Sequence, residues 1–126
     1  MDFYGPLQKA MNNSNVFVLW LIFFADNPAV SAINQTVEVL LGGQGLLEVY
    51  VSGYPLINSD NISWYWPNSS IIQKNEAGFM NDGRTLFLVN VQLVDAGAYR
   101  CEVTLPGVGR SKSALVHLNI YSKDYK

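Results

Sequence analysis

From Gln35 onward the apolar residues fall on every second position, and this alternation decides the class of fold. Val37 and Val39; Leu47, Val49 and Val51; Ile62, Trp64 and Trp66; Leu86 and Leu88; Tyr99, Cys101 and Val103; and Ala114, Val116, Leu118 and Ile120 form the runs. A strand sends successive side chains to opposite faces, so this period marks sheets with one face buried, whereas a helix repeats at about 3.6 residues. Turn formers separate the runs: Gly42-Gly43-Gln44-Gly45, Gly53-Tyr54-Pro55, Asn58-Ser59-Asp60-Asn61, Pro67-Asn68-Ser69-Ser70, Asn81-Asp82-Gly83 and Pro106-Gly107-Val108-Gly109. Short strands punctuated at this spacing predict an all-β sandwich or barrel, without a helix longer than a turn.

The front of the chain has a different texture. Residues 16–25, Val-Phe-Val-Leu-Trp-Leu-Ile-Phe-Phe-Ala, are ten apolar residues in a row. A membrane-spanning helix needs about 17–25, so the run is too short to span and has the size of a secretory h-region. Asp26-Asn27-Pro28 breaks it, and Val30-Ser31-Ala32 then offers small residues where a signal peptidase reads. The expectation is a signal peptide over 1–32, a domain over 33–121 and a tail over 122–126.

Composition narrows the chemistry. The chain of 126 residues is the length of one domain and carries a net charge of −2. No overall field favours nucleic acid or an anionic membrane. A single His and a single Cys exclude a tetrahedral His/Cys zinc site and an internal disulfide. Any Ser-His-Asp constellation would have to use His117, which lies on the outward phase of its strand with no nucleophile motif near it. The expectation is therefore no enzyme, no cofactor, no metal and no small-molecule substrate.

One motif is specific. Asp95-Ala96-Gly97-Ala98-Tyr99-Arg100-Cys101 reads D-x-G-x-Y-x-C. It resembles the strand-F signature of immunoglobulin superfamily domains, in which a tyrosine two residues before the cysteine turns its hydroxyl back to the upstream backbone. Leu86, Leu88 and Val91 stand at the offsets of a buried strand E, and Trp64 in Ile62-Ser63-Trp64-Tyr65 resembles the strand-C core tryptophan. The resemblance covers nearly all of 35–121. It implies two antiparallel sheets with about seven to eight strands, and a core that includes Val49, Trp64, Leu86, Leu88, Asp95, Gly97, Tyr99 and Cys101. Only 36 residues lie between Trp64 and Cys101. At roughly 8–12 residues per strand and turn, that is too few for a variable-type domain. An I-set domain is the better match, with a C2-like arrangement second. The chain departs from the family at Val49, which stands where the strand-B cysteine would be. A disulfide there would close about 50 residues, so its absence forgoes roughly 4 kcal/mol on the chain-entropy model. Cys101 is expected to be a buried, inert thiol.

The sequons Asn34-Gln35-Thr36, Asn61-Ile62-Ser63 and Asn68-Ser69-Ser70 make Asn34, Asn61 and Asn68 candidate N-glycosylation sites. Arg100, Arg110 and Lys112 cluster in sequence across the last hairpin, with Glu102 among them. Leu105, Val108 and Arg110 at that hairpin's tip are the candidate partner-binding residues. Together with the leader, the resemblance implies a secreted or cell-surface module that binds a protein, a second copy of itself included, in adhesion or receptor recognition. The alternative it leaves open is a structural I-set module of an intracellular, muscle-type scaffold.

Overall fold

The computed structural model describes residues 29–53, 57–105 and 109–123; the apolar run 16–25, the expected leader up to residue 28, Val108 and the end of the tail lie outside the described residues. Residues 29–51 and 56–126 form one compact unit. Its strands are β1 (Ala29–Ala32), β2 (Thr36–Leu40), β3 (Gly45–Ser52), β4 (Ile62–Tyr65), β5 (Gly78–Met80), β6 (Thr85–Leu88), β7 (Gly97–Thr104) and β8 (Ser111–Tyr121). They build two four-stranded sheets, ordered β1-β3-β6-β5 and β2-β8-β7-β4. Beyond them, regular structure among the described residues is limited to 3₁₀ turns at Ser59–Asn61 and Leu93–Asp95. The all-β sandwich expected from the alternation is the observed fold.

The inward phase of each strand fills the space between the sheets. Leu47 and Val49 of β3 and Leu86 and Leu88 of β6 line one side. Trp64 of β4, Tyr99, Cys101 and Val103 of β7, and Val116 and Leu118 of β8 line the other. Trp64 pairs with Cys101 in the β4–β7 register, which sets the indole beside the thiol. Its ring nitrogen donates to the Gly83 carbonyl at 2.9 Å in a buried hydrogen bond. Gly83 closes the β5–β6 turn, where Asn81 and Asp82 both take positive φ. Two left-handed central residues give the turn the twist of its flanking strands. Gly83 itself sits at φ +90, with Ser59 and Ile62 packed against it.

The corner motif folds as its spacing implies. The Tyr99 hydroxyl donates to the Asp95 carbonyl at 2.6 Å. Burial, then the nearby Asp95 charge, pushes the phenol up to about 12. Asp95 caps the preceding turn, its carboxylate accepting from the Gln92 amide at 2.8 Å. Gly97 is required for a second reason. Its φ is +145, and a Cβ there would lie 2.8 Å from Pro67. Glycine thus lets the β4 exit turn press onto the start of β7.

Regular structure starts upstream of the expected cut after Ala32, and one expectation is corrected. Residues 29–32 form β1 beside β3, and the Ile33 amide continues the contact by donating to Glu48 O at 2.9 Å. A cut after Ala32 would remove an edge strand; the small residues that suit a peptidase suit that strand as well. Leu105 is not an exposed tip residue. It is 1% exposed, and its amide donates to Arg110 O at 2.8 Å, so the strand phase of β7 runs one residue further inward before the hairpin turns.

Trp64→Ala should cost about 3–5 kcal/mol, the range for a deleted core aromatic, with part of it from the orphaned Gly83 carbonyl. Urea denaturation followed by circular dichroism measures it, and a midpoint close to wild type would refute the core role. Cys101 is fully buried, and desolvation pushes its thiol up to about 12. At about pH 8 only a very small fraction is thiolate, so a disulfide reagent such as DTNB should label the native protein far more slowly than the urea-unfolded chain.

Candidate functional site

The outward phase of the β2-β8-β7-β4 sheet carries the chemistry that the core does not use. Register places Tyr65 opposite Arg100, Arg100 opposite Leu115, and Tyr65 opposite Ile71 through an isolated bridge beyond β4. Ile71, Tyr65, Arg100 and Leu115 therefore form one transverse row across the sheet. Ile71 is 45% exposed and Leu115 is 51% exposed. The row has apolar ends and a polar, aromatic centre, the composition of a protein-contact patch rather than of an ordinary solvated face.

The centre is held rigidly. The Arg100 guanidinium carbon lies 4.0 Å from the centroid of the Tyr65 ring. Its Nη1 is 3.3 Å from Glu102 Oε1. The Tyr65 hydroxyl donates to the same oxygen at 3.1 Å, and Ser111 Oγ donates to Glu102 Oε2 at 2.9 Å. The Ser111 hydrogen bond, followed by those from Tyr65 and Arg100, outweighs partial burial and holds the Glu102 carboxyl below its usual value. Tyr65 moves the other way, raised by burial and by the adjacent carboxylate. Stacking and pairing fix both long side chains before any partner arrives, which lowers the entropy lost on binding.

The network joins one cation, one carboxylate, one phenol and one hydroxyl on a single face. His117 is exposed on the same sheet, opposite Ala98 and Thr36. Among the described residues no three His, Cys, Asp or Glu side chains gather as a metal site. Among them, too, no helix is long and apolar enough to cross a membrane.

The hairpin cluster read from sequence divides on folding. Arg100 and Glu102 share the outward face, whereas Lys112 pairs with Val103, whose side chain points into the core, so Lys112 lies on the opposite phase. Arg110 is exposed at the hairpin, Leu105 is buried, and Val108 lies outside the described residues. Sequence reasoning passed over Tyr65, Ile71 and Leu115. The alternation that identified Trp64 as inward also puts Tyr65 outward, but the register that aligns it with Arg100 and Leu115 is a property of the paired sheet.

Comparison with known proteins fits this geometry. The Immunoglobulin I-set domain model matches residues 28–120. Neural cell adhesion molecule 1 of Rattus norvegicus is 27% identical over 114 residues, covering 84% of this chain and 13% of the relative. Its Mus musculus counterpart is also 27% identical, with 10% of its length covered. The chain thus spans a small part of these relatives. Among solved structures, titin M4 superposes with a TM-score of 0.60 at 20% identity, covering 75% of this chain and 95% of that one. The N-terminal four immunoglobulin domains of Dscam1 isoform 7.44 give 0.58 at 20% identity, covering 75% and 21%.

Because the folded Glu102 carboxyl is held low, its contribution to stability is present above the ordinary glutamate range and is lost as pH falls through the lower folded value. Glu102→Gln should therefore lower the melting temperature near neutrality and converge on wild type at acid pH, flattening the acid limb; superimposable curves across the pH range would refute the network.

Proposed function

The chain belongs to the immunoglobulin I-set domain family, and from that premise we propose that it is an extracellular, non-catalytic recognition module acting in adhesion or receptor contact. The observation that carries this reading is the preformed row Ile71, Tyr65, Arg100 and Leu115 on the outward face of the β2-β8-β7-β4 sheet. The likeness to a cell adhesion molecule supports it, and so do the apolar run 16–25 and the three sequons. In this reading the leader is removed upstream of β1, so that Ala29–Ala32 stay with the sheet.

The partner this face fits first is a second copy. Arg100 and Glu102 lie two residues apart on one strand, with opposite charge. A two-fold axis lying between two facing copies, over the midpoint of Arg100 and Glu102, would set each against its opposite number in the other copy. The apolar ends of the row would then close over the pairs.

The alternative, a structural module inside the cell, draws on one specific observation: Cys101 is a free, buried thiol. A reducing compartment imposes no selection for its missing partner at Val49.

Both parts are tested with the full chain expressed in a secretory cell line. The medium should contain product whose N-terminal sequence retains Ala29–Ala32; product confined to the cytosol would favour the intracellular module. Sedimentation equilibrium should show self-association that Arg100→Glu with Leu115→Asp abolishes and that the charge swap Arg100→Glu with Glu102→Arg restores. An association unchanged by the first pair would move the site off this face. A folded monomer at every concentration would exclude the second copy as partner.

A further inference from the structure

Of the three sequons, the fold presents Asn68 in a manner of its own. Asn68 stands at the tip of a tight turn leaving β4, closed by the Ser69 amide on Trp66 O at 2.8 Å and the Trp66 amide on Ser70 O at 2.9 Å. Ser69 takes φ 75, the left-handed residue that completes such a turn. The Ser70 amide donates to Asn68 Oδ1 at 2.9 Å, and the Ser70 hydroxyl donates to the same oxygen at 2.7 Å. The sequon's own hydroxyl thus holds the carboxamide oxygen, in a residue that is exposed. Asn61 is placed differently. It is half-buried, its Oδ1 accepts from the Asn58 amide at 3.1 Å, and its Ser63 is already inside β4 opposite Glu102. Asn34 is exposed, but its Thr36 is paired in β2 opposite His117.

A second observation lies beside Asn68. A hollow of about 500 Å³ is lined by Trp66, Pro67, Asn68, Ser70, Val94 and Tyr99 among others. Val94 is 88% exposed, an apolar side chain standing in water. Trp66 is half-exposed and packs edge-on against Tyr99 at 5.9 Å between centroids. Pro67 is seated against Gly97, so the floor of the hollow is fixed to the start of β7. A hollow that sets Trp66, Pro67 and Val94 against the polar Ser70 and Asp95, and contains the acceptor asparagine itself, suits a sugar ring, which offers both a C–H face and hydroxyls.

We infer that Asn68 carries an N-linked oligosaccharide whose first sugar packs in the Trp66–Pro67–Val94 hollow. The inference rests on the extracellular reading. The donor is an oligosaccharide linked to a lipid pyrophosphate. Asn68 Nδ2 bonds to the sugar C1, the bond from C1 to the pyrophosphate oxygen breaks, the lipid pyrophosphate leaves, and the amide nitrogen loses one proton to base. The glycan then stands over the β4 exit turn and leaves Arg100 and Leu115 to a partner arriving from the β8 side.

The test uses the full chain twice, once with its own first residues and once behind an independent secretion leader. Enzymatic removal of glycans in heavy-oxygen water marks each formerly occupied asparagine as labelled aspartate, read by peptide mass. Asn68 should be marked in most molecules; Ser70→Ala should abolish the mark and Ser70→Thr should keep it. Deglycosylation should lower the melting temperature, and Val94→Asp should erase that difference without changing occupancy. Delivered chain with Asn68 unmarked, whatever the state of Asn34 and Asn61, overturns the site. A marked Asn68 whose sugar removal leaves the melting temperature unchanged overturns the packing. Asn68 marked only behind the independent leader, with the chain's own version left in the cytosol, upholds the site and overturns the extracellular reading.

Discussion

A buried side-chain hydrogen bond ties the two sheets together in a domain whose single cysteine can form no internal disulfide. The Trp64 indole nitrogen, on the β2-β8-β7-β4 sheet, donates to the Gly83 carbonyl in the turn between β5 and β6 of the other sheet. Both groups are buried, so breaking the bond would leave a donor and an acceptor away from water, a larger loss than the bond's modest net value. The geometry depends on the turn: Asn81, Asp82 and Gly83 all take positive φ to aim that carbonyl inward. Arg84 adds a brace next to it, donating from Nη2 to Ile57 O at 3.1 Å. Val49 and Cys101 fill the place of a cystine with ordinary packing, so the sandwich rests on shape and on polar ties of this kind, the Gly42 amide on Val91 O at 2.8 Å and the Val91 amide on Gly43 O at 3.1 Å among them.

The corner tyrosine works on a different part of the structure. By fixing Asp95 it sets where β7 starts, and Gly97 at that start admits Pro67 from the β4 exit turn. The position of Asn68, the hollow beside Trp66 and the bridge at Ile71 all follow from that approach. A residue with a Cβ at position 97 would push on the Pro67 ring and disturb all three at once. The motif that identifies the family is thus also the hinge on which the surface chemistry is mounted.

Inside and outside are separated by strand phase alone. Along β7, Tyr99, Cys101 and Val103 face the core, while Arg100 and Glu102 face out. A slip of one residue would bury the charges and expose the tyrosine, so the core that fixes the register also fixes the recognition face. Arg100 and Glu102 are neighbours on one face of β7, and they are held because β4 brings Tyr65 against both and β8 brings Ser111 to the carboxylate.

The sequence by itself determined the strand class, the inward residues and the corner, because each is written in local terms: a period of two, turn formers, and a spacing of two between Tyr99 and Cys101. It read Ala29–Ala32 as a peptidase site alone, because the pairing of that segment beside β3 is a long-range property that local composition does not carry. It misread Leu105, because a hairpin's length cannot be told from its turn residues, and the strand phase carries that side chain into the core. It grouped Lys112 with Arg100 by proximity along the chain, whereas the β7–β8 register puts them on opposite faces. The row from Ile71 to Leu115 was not legible at all. Its members come from the segment after β4 and from three strands, and only the hydrogen-bonded ladder between those elements brings them into line.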